Sequence, residues 1–429
     1  MRDTTATDDR NSISPYSDRR LSATLLALWA AVTLWQRWDL WAEDLSAVYI
    51  AGWLWQSGQQ GLIYATPPAF FGGVATSWFP AMEALGIADK TSFAYVYPPI
   101  WAVMTAPLTT LMSPQSFINA VAMVQMPLLA ASVWLAGRIA KPTAMPWWVW
   151  TVIGLALLSF TVPAHSAIWQ NQPSITVGFL ALLAVERLGA GRPVAAGLAL
   201  ALAAAIKLLP AAFALVFLLD RQWRAAATFA IAGATLALLS VALAGWPAHQ
   251  AFLASLAEVN GSALLGTVNI SLRPAVLALG SALGWLPHPG SDLLLFVYRD
   301  EIPAWLAPAI ALLAIAIVAA YGRALAGVRT ETRRVVGFFA LVILVPLMGT
   351  LGWQHYYVVP LLLLPGLTRF LPRVPALALI AGAIVPSLSM VFVGLGALPW
   401  PVANYIWIMC AAWLAILAGL YAAARRAAP

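Results

Sequence analysis

Residues 192–221 read RPVAAGLALALAAAIKLLPAAFALVFLLDR. Two apolar runs, each closed on its outer side by arginine, meet around one lysine, Lys207. It stands 15 residues from Arg192 and 14 from Arg221. As helix, either arm covers roughly 21 Å, short of a hydrocarbon core of about 30 Å. The Lys207 ammonium must therefore snorkel outward or meet an anion inside the protein. The stretch describes a membrane hairpin with basic feet and a lysine near its tip.

The rest of the chain repeats this grammar. Of 429 residues, 62% are hydrophobic and only 9% charged, with a mean hydropathy of +0.84. Apolar stretches rich in Leu, Ala, Val and Trp fill most of the length, which leaves no room for a separate soluble domain. Residues 1–20 hold four Arg and four Asp and lack apolar content, so they are expected to form a disordered cytoplasmic tail. The run from Leu21 leads into Arg37 and Trp38 without a small-residue cleavage site, which predicts an uncleaved first span. Residues 21–429 then form a single transmembrane domain. The one cysteine, Cys410, rules out an internal disulfide and speaks against a cysteine metal site.

The net charge of +7 is set by its distribution. Eighteen of 23 basic residues lie in the tail or in short clusters between apolar runs: Arg138/Lys141, Arg187/Arg192, Arg221/Arg224, Arg323 to Arg334, Arg369/Arg373 and Arg425/Arg426. This is the positive-inside signature of a polytopic protein. A nucleic-acid binder would gather such charge on one exposed face, so no nucleic-acid partner is expected. With every cluster cytoplasmic, consecutive clusters are separated by an even number of crossings. Spans are predicted near 145–162 and 173–185, through the Lys207 hairpin, near 225–245 and 303–321, as a hairpin over 335–369 turning at Trp353 to His355, and twice within 374–424. Only 98–137 resists this parity. A re-entrant half-helix over 98–112 followed by a true span over 116–137 resolves it. The total is an all-α polytopic membrane protein with about 12 transmembrane helices.

Two long external loops remain, 38–96 and 246–301. Between 39–95 and 246–301 lie nine acids (Asp39, Glu43, Asp44, Glu83, Asp89, Glu258, Asp292, Asp300, Glu301) and three bases, Lys90, Arg273 and Arg299. The first loop is crowded with Trp38, Trp41, Tyr49, Trp53, Trp55, Tyr64, Phe70, Phe71, Trp78 and Phe79. Rings at that density suit interfacial helices in the headgroup layer.

Few ionisable groups are available to carry chemistry. Asp44, just past the first span and flanked by apolar rings, has a setting that raises a carboxyl pKa toward values useful for proton abstraction. It also suits the N-cap of a helix beginning near Leu45, and the two roles are compatible. Glu43 and Asp39 stand in reserve as solvated or capping acids. Lys207 fits a phosphate at the outer leaflet. Arg273, in Asn269-Ile270-Ser271-Leu272-Arg273-Pro274, suits a bidentate phosphate clamp and equally the neutralising of a loop acid. His355 sits at an external turn, as an interfacial polar residue or a substrate contact. His165, Gln170 and Asn171 form a polar tip suited to sugar hydroxyls or to loop solvation. With four His in the chain and none sharing a helical face with an acid at ligand spacing, no metal is expected. An acid site for a divalent cation at Glu43 and Asp44 is left open.

Several of these pieces together resemble a known family. Asp44-Leu45-Ser46-Ala47-Val48-Tyr49, Ser57-Gly58, Leu62-Ile63-Tyr64, and Tyr97-Pro98-Pro99-Ile100 with Ala106-Pro107-Leu108 look like the first external loop of the polyprenol-phosphate-mannose-dependent mannosyltransferases, glycosyltransferase family 87 of the GT-C superfamily. Gln170-Asn171-Gln172, the block Ala196-Gly197 to Arg221-Gln222-Trp223-Arg224 around Ala205-Ile206-Lys207-Leu208-Leu209-Pro210, and Trp353-Gln354-His355-Tyr356 are similar to the same pattern. Two departures bear on acceptor and donor sugar. Tyr356 stands where a second His is common, and Gln170-Asn171-Gln172 replaces a Gly-Gln-x-Asn arrangement.

The resemblance implies a GT-C fold and an inverting hexosyltransferase, moving a sugar such as mannose from a polyprenyl-phosphate carrier to a hydroxyl of a glycolipid or glycan acceptor. It implies a multi-pass protein of the inner (plasma) membrane with its active site on the periplasmic, extracytoplasmic face. Asp44 would be the general base, and Lys207 with Arg273 would hold the donor phosphate. His355, Gln170, Asn171, Asn269, Tyr97 and Glu43 would touch substrate. No cofactor is required, because lysine and arginine supply the positive charge. Rival readings want other features. A flippase or transporter would pair polar residues at the midplane in symmetric halves. A ligase or polymerase with a pyrophosphate-linked donor would want an Arg-rich external loop. A scaffold gives no reason for Lys207.

Overall fold

A computed structural model describes residues 15–67, 73–286, 295–299, 301–397 and 401–427. Asp292, Asp300, Phe70, Phe71 and residues 1–14 of the expected tail lie outside them. In chain order the helices are α1 (Pro15–Arg37), α2 (Glu43–Gln56), α3 (Phe79–Ala84), α4 (Pro99–Thr105), α5 (Leu108–Leu111), α6 (Pro114–Ala140), α7 (Trp147–Phe160), α8 (Val162–Trp169), α9 (Ser174–Gly189), α10 (Pro193–Ile206), α11 (Leu215–Leu219) and α12 (Trp223–Gly261). Strand β1 (Ala263–Gly266), α13 (Leu272–Ala282) and β2 (Leu295–Tyr298) follow. The chain closes with α14 (Leu306–Leu325), α15 (Thr330–Met348), α16 (Val358–Leu363), α17 (Arg373–Ser387), α18 (Ser389–Leu395) and α19 (Pro401–Ala427).

Four helices among the described residues are long and apolar enough to cross a bilayer: α6, α12, α14 and α19. Six shorter apolar stretches accompany them, among them Pro99–Leu111, Pro193–Ile206 and Leu209–Leu219. A spanning segment must satisfy its own backbone, and helices do so internally. Where helices break, the sequence supplies the break. Ser113 caps α6, its Oγ accepting from Ser116 N at 3.2 Å, and Pro114 occupies the first helical turn, where its missing N–H costs nothing. Within α12, Gly245 adopts φ 77 and ψ 158 with Pro247 beyond it. Only glycine enters that region without strain. His249 Nδ1 bonds the Gly245 carbonyl freed by the kink, at 2.8 Å. The span expected over 225–245 ends at this kink. The stretch 98–112 is likewise broken, into α4 and α5.

Two expectations need correction. Helix α1 begins at Pro15, so residues 15–20 belong to the first helix and not to a disordered tail. The fold is helical, as expected, and between α12 and α14 it admits one short antiparallel pair, with Ala263 opposite Tyr298 and Gly266 opposite Leu295. The aromatics between α1 and α4 are also not all interfacial. Tyr49, Trp78, Tyr95 and Tyr97 are buried, in an apolar core of their own with Leu45, Ile50, Leu54 and Met82. A loop of that length has enough apolar surface to bury its rings in itself, which is worth about 25 cal/mol per Å².

This small core is distinct from the large one, which joins α6, α9, α10, α15, α16 and α19. At the basic end of the bundle, Asp220 is fully buried and paired with Arg333 and Arg334 at 3.1 and 2.7 Å, which ties the end of α11 to α15. Cys410 is buried, its Sγ 3.5 Å from the Ser271 carbonyl.

Candidate active site

Helix α2 starts where Ala42, in extended conformation, turns the chain. Glu43 and Asp44 fill its first turn, where carboxylates complement the positive end of the helix dipole. Asp44 is thus the second helical residue and not the N-cap. Its carboxylate makes no capping bond and instead accepts from the side-chain amide of Gln172.

The turn between α8 and α9 delivers that amide. Asn171 has φ 43, a left-handed conformation that Asn tolerates better than most residues. Its Nδ2 donates to the Ile118 carbonyl at 2.9 Å, and Gln125 Nε2 donates to its own carbonyl at 2.9 Å. With Asn171 pinned in this way, the glutamines on either side both reach the first turn of α2. Gln170 accepts from Asp44 N at 3.1 Å and donates to Glu43 Oε2 at 3.0 Å. Thr91 Oγ1 donates to the other Glu43 oxygen at 2.6 Å. Asp39, at φ 60, is clasped by Asn119, whose Nδ2 donates to Oδ1 at 2.7 Å.

Gln172 joins two distant parts of the chain. While its Nε2 serves Asp44, its Oε1 accepts from Lys207 Nζ at 3.1 Å. Lys207 follows the last residue of α10 in extended backbone, φ −139 and ψ 135. Trp101 Nε1 secures this helix end by donating to the Ala205 carbonyl at 2.8 Å. The ammonium lies 5.4 Å from the Tyr97 ring centroid and 5.0 Å from that of Tyr356, within cation–π range. Acid, amide and cation therefore form one chain, Asp44–Gln172–Lys207. Burial pushes the Asp44 carboxyl up to about 6, against the lowering effects of the Lys207 charge and the Gln172 hydrogen bond. A carboxylate so poised is ionised at neutral pH and is a better base than one in water.

An apolar cavity opens beside Lys207, with His355, Tyr356 and Ser174 on its wall. His355 is buried and stacks on Trp353, and its Nε2 has no hydrogen-bond partner. The Ser174 hydroxyl, at the start of α9, also lacks a partner.

Other expected site residues have different tasks. Arg273 does not line the Lys207 cavity. Its Nη1 donates to the Asn260 and Ser262 carbonyls at 2.7 and 3.1 Å. Asn269 accepts from Gly352 N at 2.7 Å and donates to the Leu264 carbonyl at 2.9 Å, stapling the segment that follows β1 to the turn that carries His355. In both cases a buried side chain answers backbone groups that would otherwise be unpaired. Asn171 shapes its turn in the same manner. Sequence reasoning missed Gln172, Tyr356 and Ser174. The alternation Gln170-Asn171-Gln172, with a residue prone to left-handed backbone between two amides, was the available signal.

The sequence model of glycosyltransferase family 87 matches residues 95–348, more than half of the chain. The chain belongs to glycosyltransferase family 87. The family match takes in Tyr97, Gln172 and Lys207 and stops short of Asp44 on one side and His355 on the other. Over 301 residues the chain is 28% identical to the polyprenol-phosphate-mannose-dependent alpha-(1-2)-phosphatidylinositol mannoside mannosyltransferase of Mycobacterium tuberculosis (strain ATCC 25618 / H37Rv). That similarity covers 67% of this chain and 65% of the relative, so the chain spans just under two thirds of the relative's length.

Proposed function

We propose that this family 87 protein is an inverting glycosyltransferase of about 12 crossings in the GT-C fold, working on the extracytoplasmic face of the inner membrane. It takes a hexose, mannose by analogy with the relative's name, from a polyprenyl-phosphate carrier and transfers it to a glycolipid or glycan hydroxyl. One observation carries this reading: Asp44 and Lys207, 163 residues apart in sequence, are joined through a single amide. An inverting displacement needs a base on one side of the sugar and positive charge at the leaving group on the other.

In the proposed step the acceptor hydroxyl attacks the anomeric carbon from the face opposite the phosphate. Its proton passes to the Asp44 carboxylate as the new glycosidic bond forms. The bond from the anomeric carbon to the phosphate oxygen breaks, and its electron pair leaves with the polyprenyl phosphate. The Lys207 ammonium, held between the Tyr97 and Tyr356 rings, stabilises that growing negative charge. Gln172 is a positioning residue, holding base and cation at fixed separation. His355 and Tyr356, on the same cavity wall as Lys207, contact the donor. Lysine supplies the charge without a metal or cofactor.

The test is transfer by the purified protein in lipid nanodiscs, supplied with a panel of polyprenyl-phosphate sugars and glycolipid acceptors. The expected product has the anomeric configuration opposite to the donor's. Retained configuration, or no consumption of any polyprenyl-phosphate sugar, overturns the proposal.

A further inference from the structure

The basic clusters that mark the far end of the bundle do more than orient it. Two of them, remote in sequence, each place an arginine on one cavity of about 400 Å³ whose wall includes Arg138, Glu186, Thr330, Glu331 and Arg334. It lies where α6, α9 and α15 meet. Helix α9 links it to the candidate active site: Ser174, its first residue, lines the cavity beside Lys207, and Glu186 and Gly189 line this one. Twelve to fifteen residues of helix separate the two by roughly 18–22 Å.

We infer that this cavity is a binding site for the phosphate-bearing headgroup of an anionic phospholipid. The cluster's charge is the first reason. Arg138 and Arg187 pair with Glu186 at 2.8 and 2.5 Å, Arg333 and Arg334 pair with Asp220, and Arg369 pairs with Glu331 at 2.6 Å. Of these groups Arg138, Arg334, Glu186 and Glu331 line the cavity, and Arg187, Arg333 and Arg369 with Asp220 bring the surrounding cluster to five guanidiniums against three carboxylates. Glu186 and Asp220 are buried and anchor two arginines each.

Free donors are the second reason. Arg138 meets Glu186 only through Nε, which leaves its two terminal nitrogens for a ligand. Arg334 spends Nε and Nη2 on Asp220, and its Nη1 lies 3.4 Å from where a side chain on Gly189 would begin. A planar fork with unspent donors is the side chain best matched to phosphate oxygens. The wall supplies the third reason. Ile139, Val185 and Val335 line the cavity beside the charged groups. A soluble phosphate would use only the polar part, whereas a lipid headgroup with its glycerol backbone uses both. Basic pockets between helix ends suit such headgroups.

The experiment uses the full chain, purified and delipidated, with short-chain phosphatidylglycerol, short-chain phosphatidylcholine and glycerol 3-phosphate as probes. Binding is read by native mass spectrometry and by the shift in melting temperature. Phosphatidylglycerol is expected to bind at least about tenfold more tightly than phosphatidylcholine, the worth of one charge-assisted hydrogen bond or more. Arg138→Gln is expected to remove that preference. Gly189→Leu, which fills the cavity beside Arg334, is expected to do the same while transfer at the other end of α9 continues. Equal affinity of the wild type for the two lipids overturns the inference, even if neither variant can be purified. So does a preference that survives both substitutions. If glycerol 3-phosphate binds as tightly as phosphatidylglycerol, the ligand is a soluble phosphate and the lipid assignment falls.

Discussion

Asp44→Asn keeps the size of the side chain and most of its hydrogen bonding while removing its basicity. The turnover number is expected to fall by about 10²–10⁴-fold, the usual worth of general base catalysis, with donor binding nearly unchanged. Unaltered turnover would remove Asp44 from the chemistry. Because burial lifts its carboxyl to about 6, kcat/KM is expected to fall as pH drops through about 6, where the base becomes protonated. Gln172→Leu removes the hydrogen bond that holds this pKa down, so the acid limb is expected to move to higher pH. A limb that stays in place would show that Gln172 does not tune the base. Lys207→Ala is expected to weaken binding of polyprenyl phosphate by about tenfold or more, as loss of a hydrogen bond to a charged group does. Binding measured against polyprenol, which lacks the phosphate, isolates that contribution. Asp44 and Lys207 were legible in the sequence because an apolar chain has few charges to place and each placement is expensive. Gln172 was not, since an amide in a loop has the same composition whether it bridges two charges or faces water. Arg273 misled for a related reason: the carbonyls of Asn260 and Ser262 that accept from its Nη1 leave no trace in sequence.

At the scale of elements, the placement of Asp44 depends on how closely α2 approaches α4. Gly52 makes that approach possible, since a Cβ there would lie 2.9 Å from Thr105 Cβ and 3.0 Å from its carbonyl carbon. Gly52→Ala is expected to destabilise the protein by about 1–3 kcal/mol, as overpacking does. It is also expected to lower kcat by shifting the base, a loss read from melting temperature and turnover together. The breaks in α4–α5 and at Gly245 were foreseeable, because Pro, Gly and Ser punctuate the sequence where apolar periodicity stops. The pairing of β1 with β2 was not. Ala263-Leu264-Leu265-Gly266 carries no alternation, and its partner lies 29–35 residues further on, so only the tertiary fold selects strand for it.

For the molecule as a whole, the apolar runs between basic clusters anticipated a helical bundle, since Lys and Arg at helix ends are costly to drag across a bilayer. They could not reveal that those same residues are knitted together. Buried Asp220 and the part-buried Arg333 and Arg334 form a three-membered ion cluster. Asp220→Asn leaves two part-buried guanidiniums without their counter-charge and is expected to cost about 1–3 kcal/mol, measured as a lowered melting temperature. An unchanged melting temperature would make the cluster ornamental. The division into two apolar cores has its own outcome. Asp44 and Tyr97 ride with the smaller one, whereas Gln172, Lys207 and His355 ride with the larger, so the seam between the two cores, which α6 crosses, runs through the candidate site. A displacement of about 1 Å across such a seam is enough to cost a reaction a hundredfold.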